Sequence, residues 1–212
     1  AEDLAKLIKG ANILHIPTHA GWTAVVTGSG VTISEIAIQQ VGTGATVSSS
    51  ALLYAFLRGF SQGNNLSFIT WGKKLYLIFP YARQVSDTEA IGRVQLKTVE
   101  TIGALAAMGI GIKVLNLALW GESYGTELGE VDLGVTLTTA LDKQIVTVHD
   151  PSVPKIEWYV DGVLKGTQST AAKIPSGVAG GFYIVHSINK SAATTTGEAY
   201  SGIFHPKIWQ AR

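Results

Sequence analysis

Cysteine is absent from the 212-residue chain, which excludes disulfide bridges, thiolate nucleophiles, zinc–thiolate sites and cysteine-bound iron–sulfur clusters. Charge is scarce: sixteen basic and fifteen acidic residues give a net charge of +1, with no long run of either sign. Nucleic-acid binders carry a basic patch and membrane-surface proteins a basic face, so the sequence predicts neither as a partner. Long apolar runs are missing too. The most hydrophobic stretch, residues 102–112, is interrupted by Gly103, Gly109 and Gly111 and falls well short of the roughly 20 apolar residues of a membrane-crossing helix. Residues 1–10, AEDLAKLIKG, mix acids and lysines with apolar residues and lack the apolar core of a signal peptide.

What is present is material for a core, since 46% of the residues are hydrophobic, and material for turns, since 24 are glycine. Helical periodicity is confined to residues 1–10, where Leu4, Leu7 and Ile8 share one side of a two-turn helix closed by Gly10. From residue 11 onward the chain repeats one pattern: a short run rich in Val, Ile, Thr and aromatics, then a cluster of Gly, Ser, Asn or Pro. Fifteen such runs, among them 32–40, 66–71, 74–81, 155–160, 163–167 and 203–210, predict an all-β fold: a two-sheet antiparallel β-sandwich. The expected organisation is an amphipathic arm over 1–10 followed by one sandwich domain over 11–212. Its sharpest local signal is KIEWYVDGVLKGT, residues 155–167, in which Asp161-Gly162 can supply the two positive φ angles of a two-residue hairpin. Alternation there puts Ile156, Trp158 and Val160 on one face, expected to be the core, together with Trp209 of the last run.

The hairpin IEWYVDGVLKGT and the closing run GIFHPKIWQ resemble the carboxy-terminal half of concanavalin A-like lectin/glucanase jelly rolls, especially the laminin-G-like group. LALWGESYGTELGEVDLGVTLTT and GTGATVSSSALLYAFLRGF resemble sandwich domains of virion structural proteins in the same superfamily. The resemblance implies a jelly roll. It does not settle function, because that superfamily hosts lectins, hydrolases, lyases and adhesion modules alike.

Glu130-Val131-Asp132-Leu133 is similar to the catalytic string of family-sixteen glucanases, and a strand would project Glu130 and Asp132 from one face about 7 Å apart. The glucanase pattern has a further Glu just beyond the Asp, where this chain has Gly134, Val135 and Thr136. The leaving-group acid that such chemistry needs is therefore missing from that strand, and the sequence predicts no enzyme. His15 and His19 have the spacing of metal ligands on a helix, but Pro17 between them breaks one, and His149, His186 and His205 are scattered. No cofactor is expected, although structural calcium stays open at Asp87, Asp142 and Asp150, near predicted loops.

Sugar rings stack on Trp and Tyr, and Trp71, Tyr81, Trp120 and Tyr124 stand at strand ends or in glycine-flanked turns where they could line a rim. These four are the expected ligand-binding residues. The function expected from the sequence is a non-catalytic virion or surface structural protein that works by assembly with itself or other structural subunits, with weak glycan binding, on a virion or extracellular surface. A soluble carbohydrate-binding lectin is the first alternative, and a glycan-cleaving hydrolase using Glu130 and Asp132 the second.

Overall fold

The computed structural model describes residues 11–14, 22–27, 31–33, 37–41, 49–57, 70–85, 91–99, 104–137, 143–177, 182–190, 198–203 and 207–211. Side chains are described at 70–79, 81, 91–99, 104–137, 143–177, 182–187 and 208–211. The expected arm over 1–10 lies outside the described residues, as do Asp87, Asp142, His15, His19 and His205.

Among the described residues, sixteen strands form two antiparallel sheets. The nine-stranded sheet is built from β1 (Ala11–Leu14), β3 (Val31–Ile33), β4 (Ala37–Val41), β6 (Leu75–Val85), β11 (Lys143–Asp150), β12 (Lys155–Val160), β13 (Val163–Gln168), β15 (Glu198–Ile203) and β16 (Lys207–Ala211). Its spine runs β13-β12-β11-β6-β15-β4-β3; β16 pairs with the first half of β6 and carries β1 on its other side. The seven-stranded sheet runs β10 (Leu128–Thr136), β9 (Ala118–Tyr124), β8 (Gly109–Leu115), β7 (Ile91–Lys97), β14 (Phe182–Lys190), β5 (Ser49–Leu57) and β2 (Trp22–Thr27). A single turn of 3-10 helix, Ala171–Lys173, packs beside β9 and accepts the Thr126 and Glu127 amides at Ala172.

Alternation explains the layers. Leu75, Leu77, Phe79 and Tyr81 of β6 face inward with Ile145, Ile156, Trp158, Val160 and Ile208, against Val94, Leu96, Ile110, Ile112, Val114, Leu119 and Ile184 of the other sheet. Trp158 spans the gap. Its indole nitrogen donates to the Gly111 carbonyl at 2.9 Å, and its ring leaves so little room that a Cβ on Gly121 would stand 2.5 Å away. The Asp161-Gly162 tip has φ of 50° and 82°, as the hairpin signal requires, and Asp161 is held by the Gln144 amide at 2.9 Å and the Lys143 ammonium at 2.7 Å.

Four expectations need correction. The run at 32–40 is two strands, β3 and β4, folded into an antiparallel hairpin with Val31 opposite Gln40. The run at 203–210 is likewise two, with β15 ending at Ile203 and β16 starting at Lys207, because Pro206 cannot donate to a ladder. Of the run at 66–71 only Thr70 and Trp71 are described, and they precede β6 in coil and turn. Trp209 does not face the core: Ile208 takes the inward position, which turns Trp209 to the outer side of the nine-stranded sheet.

Candidate functional site

The outer face of the seven-stranded sheet is a grid set by strand register. Across β7, β8, β9 and β10, one row reads Arg93, Lys113, Trp120, Asp132; the next reads Gln95, Gly111, Glu122, Glu130; the third reads Lys97, Gly109, Tyr124, Leu128. The inward alternates of the same strands are apolar or glycine except Ser123, so nearly all the polar residues of these strands fall on this side. Glycine at 109 and 111 lets neighbouring groups close over the middle of the grid: a Cβ at Gly109 would stand 2.7 Å from the Leu105 side chain and 2.8 Å from Lys97, and one at Gly111 would collide with the Val94 carbonyl and stand 2.8 Å from the Gln95 Cα.

Charged and amide groups converge beside these glycines. Arg93 Nε donates to Glu122 Oε1 at 3.1 Å, Gln95 Nε2 donates to Glu122 Oε2 at 2.8 Å, and Lys97 Nζ donates to Gln95 Oε1 at 2.7 Å. All four of these side chains are buried. Burial lowers the Lys97 ammonium to about 8, against the pull of Glu122 and helped by Arg93. One column across, Lys113 Nζ donates to Glu130 Oε1 at 2.7 Å and lies 5.0 Å from the centre of the Trp120 ring. Asp132 is exposed and accepts the Gly134 amide at 2.9 Å, where the chain takes φ of 59° in a bulge.

The structure brings together Trp120, Tyr124, Glu130 and Asp132 of the residues singled out in the sequence: all four share this face, and the two aromatics are half-buried. It does not bring in Trp71 or Tyr81. Both are fully enclosed, Tyr81 as the fourth inward residue of β6 and Trp71 against His149 and Phe182 with ring centres 5.5 and 4.9 Å away. Neither lines a rim. Glu130 and Asp132 project on the same side, as alternation predicts, while Val131 and Leu133 turn to the core. Arg93, Gln95, Lys97, Lys113 and Glu122 were not singled out. The signal for Glu122 was available, because it alternates between Trp120 and Tyr124; the register that adds the other four was not.

A second cluster lies at the end of the nine-stranded sheet, where Lys73, Lys74, Asp150 and Ser152 border a depression of about 330 Å³. Burial would raise the Asp150 carboxyl, but the Ser152 hydroxyl at 2.6 Å and the Lys74 ammonium at 2.9 Å hold it at about 2. Nearby, burial lowers the His149 imidazole below its usual value, against the Pro175 carbonyl at 2.9 Å. Among the described residues no group of three or more His, Asp and Glu could hold a metal ion. Among them, too, no helix is long and apolar enough to cross a membrane.

No family model matches the chain, and no curated protein matches it. Solved structures do. The carbohydrate recognition domain of Emp47p superposes with a TM-score of 0.59 at 12% identity, covering 91% of this chain and 90% of that one. The β-glucanase of Bacillus licheniformis superposes at 0.56 and 16% identity, covering 96% of this chain and 99% of that one. These neighbours share the two-sheet architecture described above. The fold is the concanavalin A-like jelly roll. A botulinum neurotoxin type C structure carries the same jelly roll at a TM-score of 0.53 and 11% identity; the match covers 99% of this chain but 49% of that chain, which is described as entering cells through interaction with two ganglioside molecules. In the jelly roll of this protein, the polar grid lies on the outer face of the seven-stranded sheet, with Glu130 and Asp132 exposed, Trp120 and Tyr124 half-buried, and Gln95, Lys97 and Glu122 buried.

Proposed function

We propose that this protein is a non-catalytic carbohydrate-binding module whose contact surface centres on Trp120 and Tyr124. The observation that carries the reading is the grid itself: two half-buried aromatics on one strand, flanked by Lys113, Glu130 and Asp132 and bordered by the buried network of Arg93, Gln95, Lys97 and Glu122. Such a surface offers a ring face for stacking and polar groups for hydroxyls. The formal charges of Arg93, Lys97 and Lys113 balance those of Glu122, Glu130 and Asp132, which suits a neutral glycan better than an acidic one. The jelly-roll neighbours named for carbohydrate recognition and ganglioside interaction support the reading by analogy of fold.

Hydrolysis is disfavoured by the same geometry. A glycosidase needs two carboxyl groups that reach the substrate, one of them able to give a proton. Glu122 stands opposite Glu130 across the ladder, but it is buried and both its oxygens already accept hydrogen bonds. Gly134 occupies the place of the further glutamate.

The test is a glycan array followed by calorimetry on the best ligand. Trp120→Ala is expected to weaken binding at least tenfold, about 1.4 kcal/mol, with the thermal midpoint little changed. Unaltered affinity, or release of reducing ends from a β-glucan panel by the unmutated protein, overturns the reading. Assembly on a virion or other extracellular surface is the second reading, favoured by a mean hydropathy of +0.26 with only 15% charged residues. Sedimentation equilibrium checks it: a monomer at high concentration removes it.

A further inference from the structure

Charge on the grid is sorted by depth. The cations Arg93, Lys113 and Lys97 are 7%, 7% and 1% exposed and Glu122 is fully enclosed, whereas Glu130 and Asp132 stand in solvent. The charged groups of the grid that an incoming molecule meets are therefore two carboxylates, although the grid as a whole is balanced. They sit two residues apart on β10 and project on one side, about 7 Å from each other, a span that one pyranose and its hydroxyls can bridge. Asp132 is the register partner of Trp120, and Glu130 lies in the next row, opposite Glu122.

Each carboxylate is held by one oxygen and presents the other. Glu130 Oε1 accepts the Lys113 ammonium at 2.7 Å, and Asp132 Oδ1 accepts the Gly134 amide at 2.9 Å. Among the described residues no donor reaches Glu130 Oε2 or Asp132 Oδ2. Lys113 is also drawn over Trp120, 5.0 Å from the ring centre, so that indole, ammonium and Glu130 hold one another in place. A carboxylate oxygen accepts and does not donate. A hydroxyl that donates to it forms a charge-assisted bond, whereas an anion brought to the same place meets a like charge, with no exposed cation of the grid to offset it.

We propose that Glu130 and Asp132 determine the specificity of the glycan surface: each accepts one hydroxyl of a pyranose stacked on Trp120, and together they turn away sugars that carry a carboxylate. This rests on the carbohydrate reading of Trp120 and Tyr124 and narrows it to an uncharged sugar recognised through hydroxyls that donate. Discrimination then comes from repulsion of the wrong ligand as much as from contacts to the right one.

The test uses the full chain, with the Trp120 indole resonance assigned from Trp120→Phe, titrated by NMR with the methyl pyranosides of glucose, galactose and mannose. Methyl glucuronide, which differs from the glucoside by a carboxylate at C6, and N-acetylneuraminic acid are the acidic probes. At least one neutral glycoside is expected to move the Trp120 resonance, and both acids to bind about tenfold more weakly or worse. Along the monodeoxy and monodeoxyfluoro series of the bound glycoside, fluorine in place of a contacting hydroxyl is expected to cost as much as removal of that hydroxyl, about tenfold or more, because fluorine cannot donate. Asp132→Asn and Glu130→Gln keep an acceptor for the Gly134 amide and for Lys113, so the local geometry is retained. Each is expected to shrink the preference for neutral over acidic sugars about threefold or more, a ratio that a purely structural role leaves unmoved. Equal or tighter binding of either acid, full affinity of every deoxyfluoro glycoside, an unchanged ratio in both variants, or no response to any neutral glycoside overturns the proposal. The two readings fail separately. Glycan binding that is insensitive to Trp120→Ala removes the carbohydrate surface, whereas binding that needs Trp120 but prefers an acidic sugar removes only the roles of Glu130 and Asp132.

Discussion

Trp158 and Lys97 show how much a single side chain can carry in this sandwich. Trp158 fills the space over Gly121 and bonds to the Gly111 backbone, so it ties the nine-stranded sheet to the strand beneath the polar grid. Trp158→Ala is expected to cost about 3–5 kcal/mol in urea unfolding. Lys97 acts through its proton. Its folded value of about 8 lies below the ordinary 10.5, so between those values the unfolded chain binds more protons and stability rises with pH. Tyr159 opposes this above its ordinary 10.0, because burial and Glu157 raise the folded phenol to about 12 and the unfolded phenol ionises first. The expected profile climbs from about pH 8 to about pH 10 and then turns over. Lys97→Met should flatten the climb, as unfolding free energies across that window will show. The inward place of Tyr81 was legible in the sequence, since Leu75, Leu77, Phe79 and Tyr81 alternate without a break. It reads as a rim residue only if the strand is ended at 81, whereas β6 runs on to Val85.

At the scale of elements, the hairpin was legible because turn and strands speak with one voice. Asp161-Gly162 needs positive φ at both positions, and Gly162→Ala, at φ of 82°, should cost about 1 kcal/mol by thermal unfolding while leaving the polar grid untouched. The β3–β4 connection was not legible for the opposite reason: residues 34–36, Ser-Glu-Ile, contain neither glycine nor proline, so nothing in composition marks the reversal. Pro206 did mark the break between β15 and β16, and the long run drawn through it hid the inward parity of Ile208. The edges carry a further device. Lys165 is the extra residue between the Leu164–Tyr159 and Gly166–Trp158 pairs, and Asp132 and Gly134 shape the bulge in β10. Bulges and an edge lysine discourage strand-to-strand association along the side where β10 and β13 meet.

For the whole molecule, the fold class could be read from strand grammar and one hairpin, but the polar grid could not. Trp120, Glu122 and Tyr124 declare a common face by alternation alone, whereas Arg93, Gln95, Lys113 and Glu130 join them only through the register between the four consecutive strands β7 to β10, which composition does not mark. Elsewhere, long-range pairing governs how the molecule comes into being. β16 inserts between β1 and β6, so Ala11–Leu14 and one side of Leu75–Ile78 wait for residues 207–211, far along the chain, before their hydrogen bonds close. Ile208 then completes the core beside Leu77. Topologies of this kind refold in milliseconds to seconds, because distant segments must meet before contacts reward the loss of chain entropy. A chain lacking 207–211 is expected to show no cooperative urea transition and no near-ultraviolet dichroism. Until Lys207–Ala211 dock, β1 has no partner and Leu75–Ile78 of β6 lack a neighbour on one side, so the sheet stands zipped except at the seam that locks it.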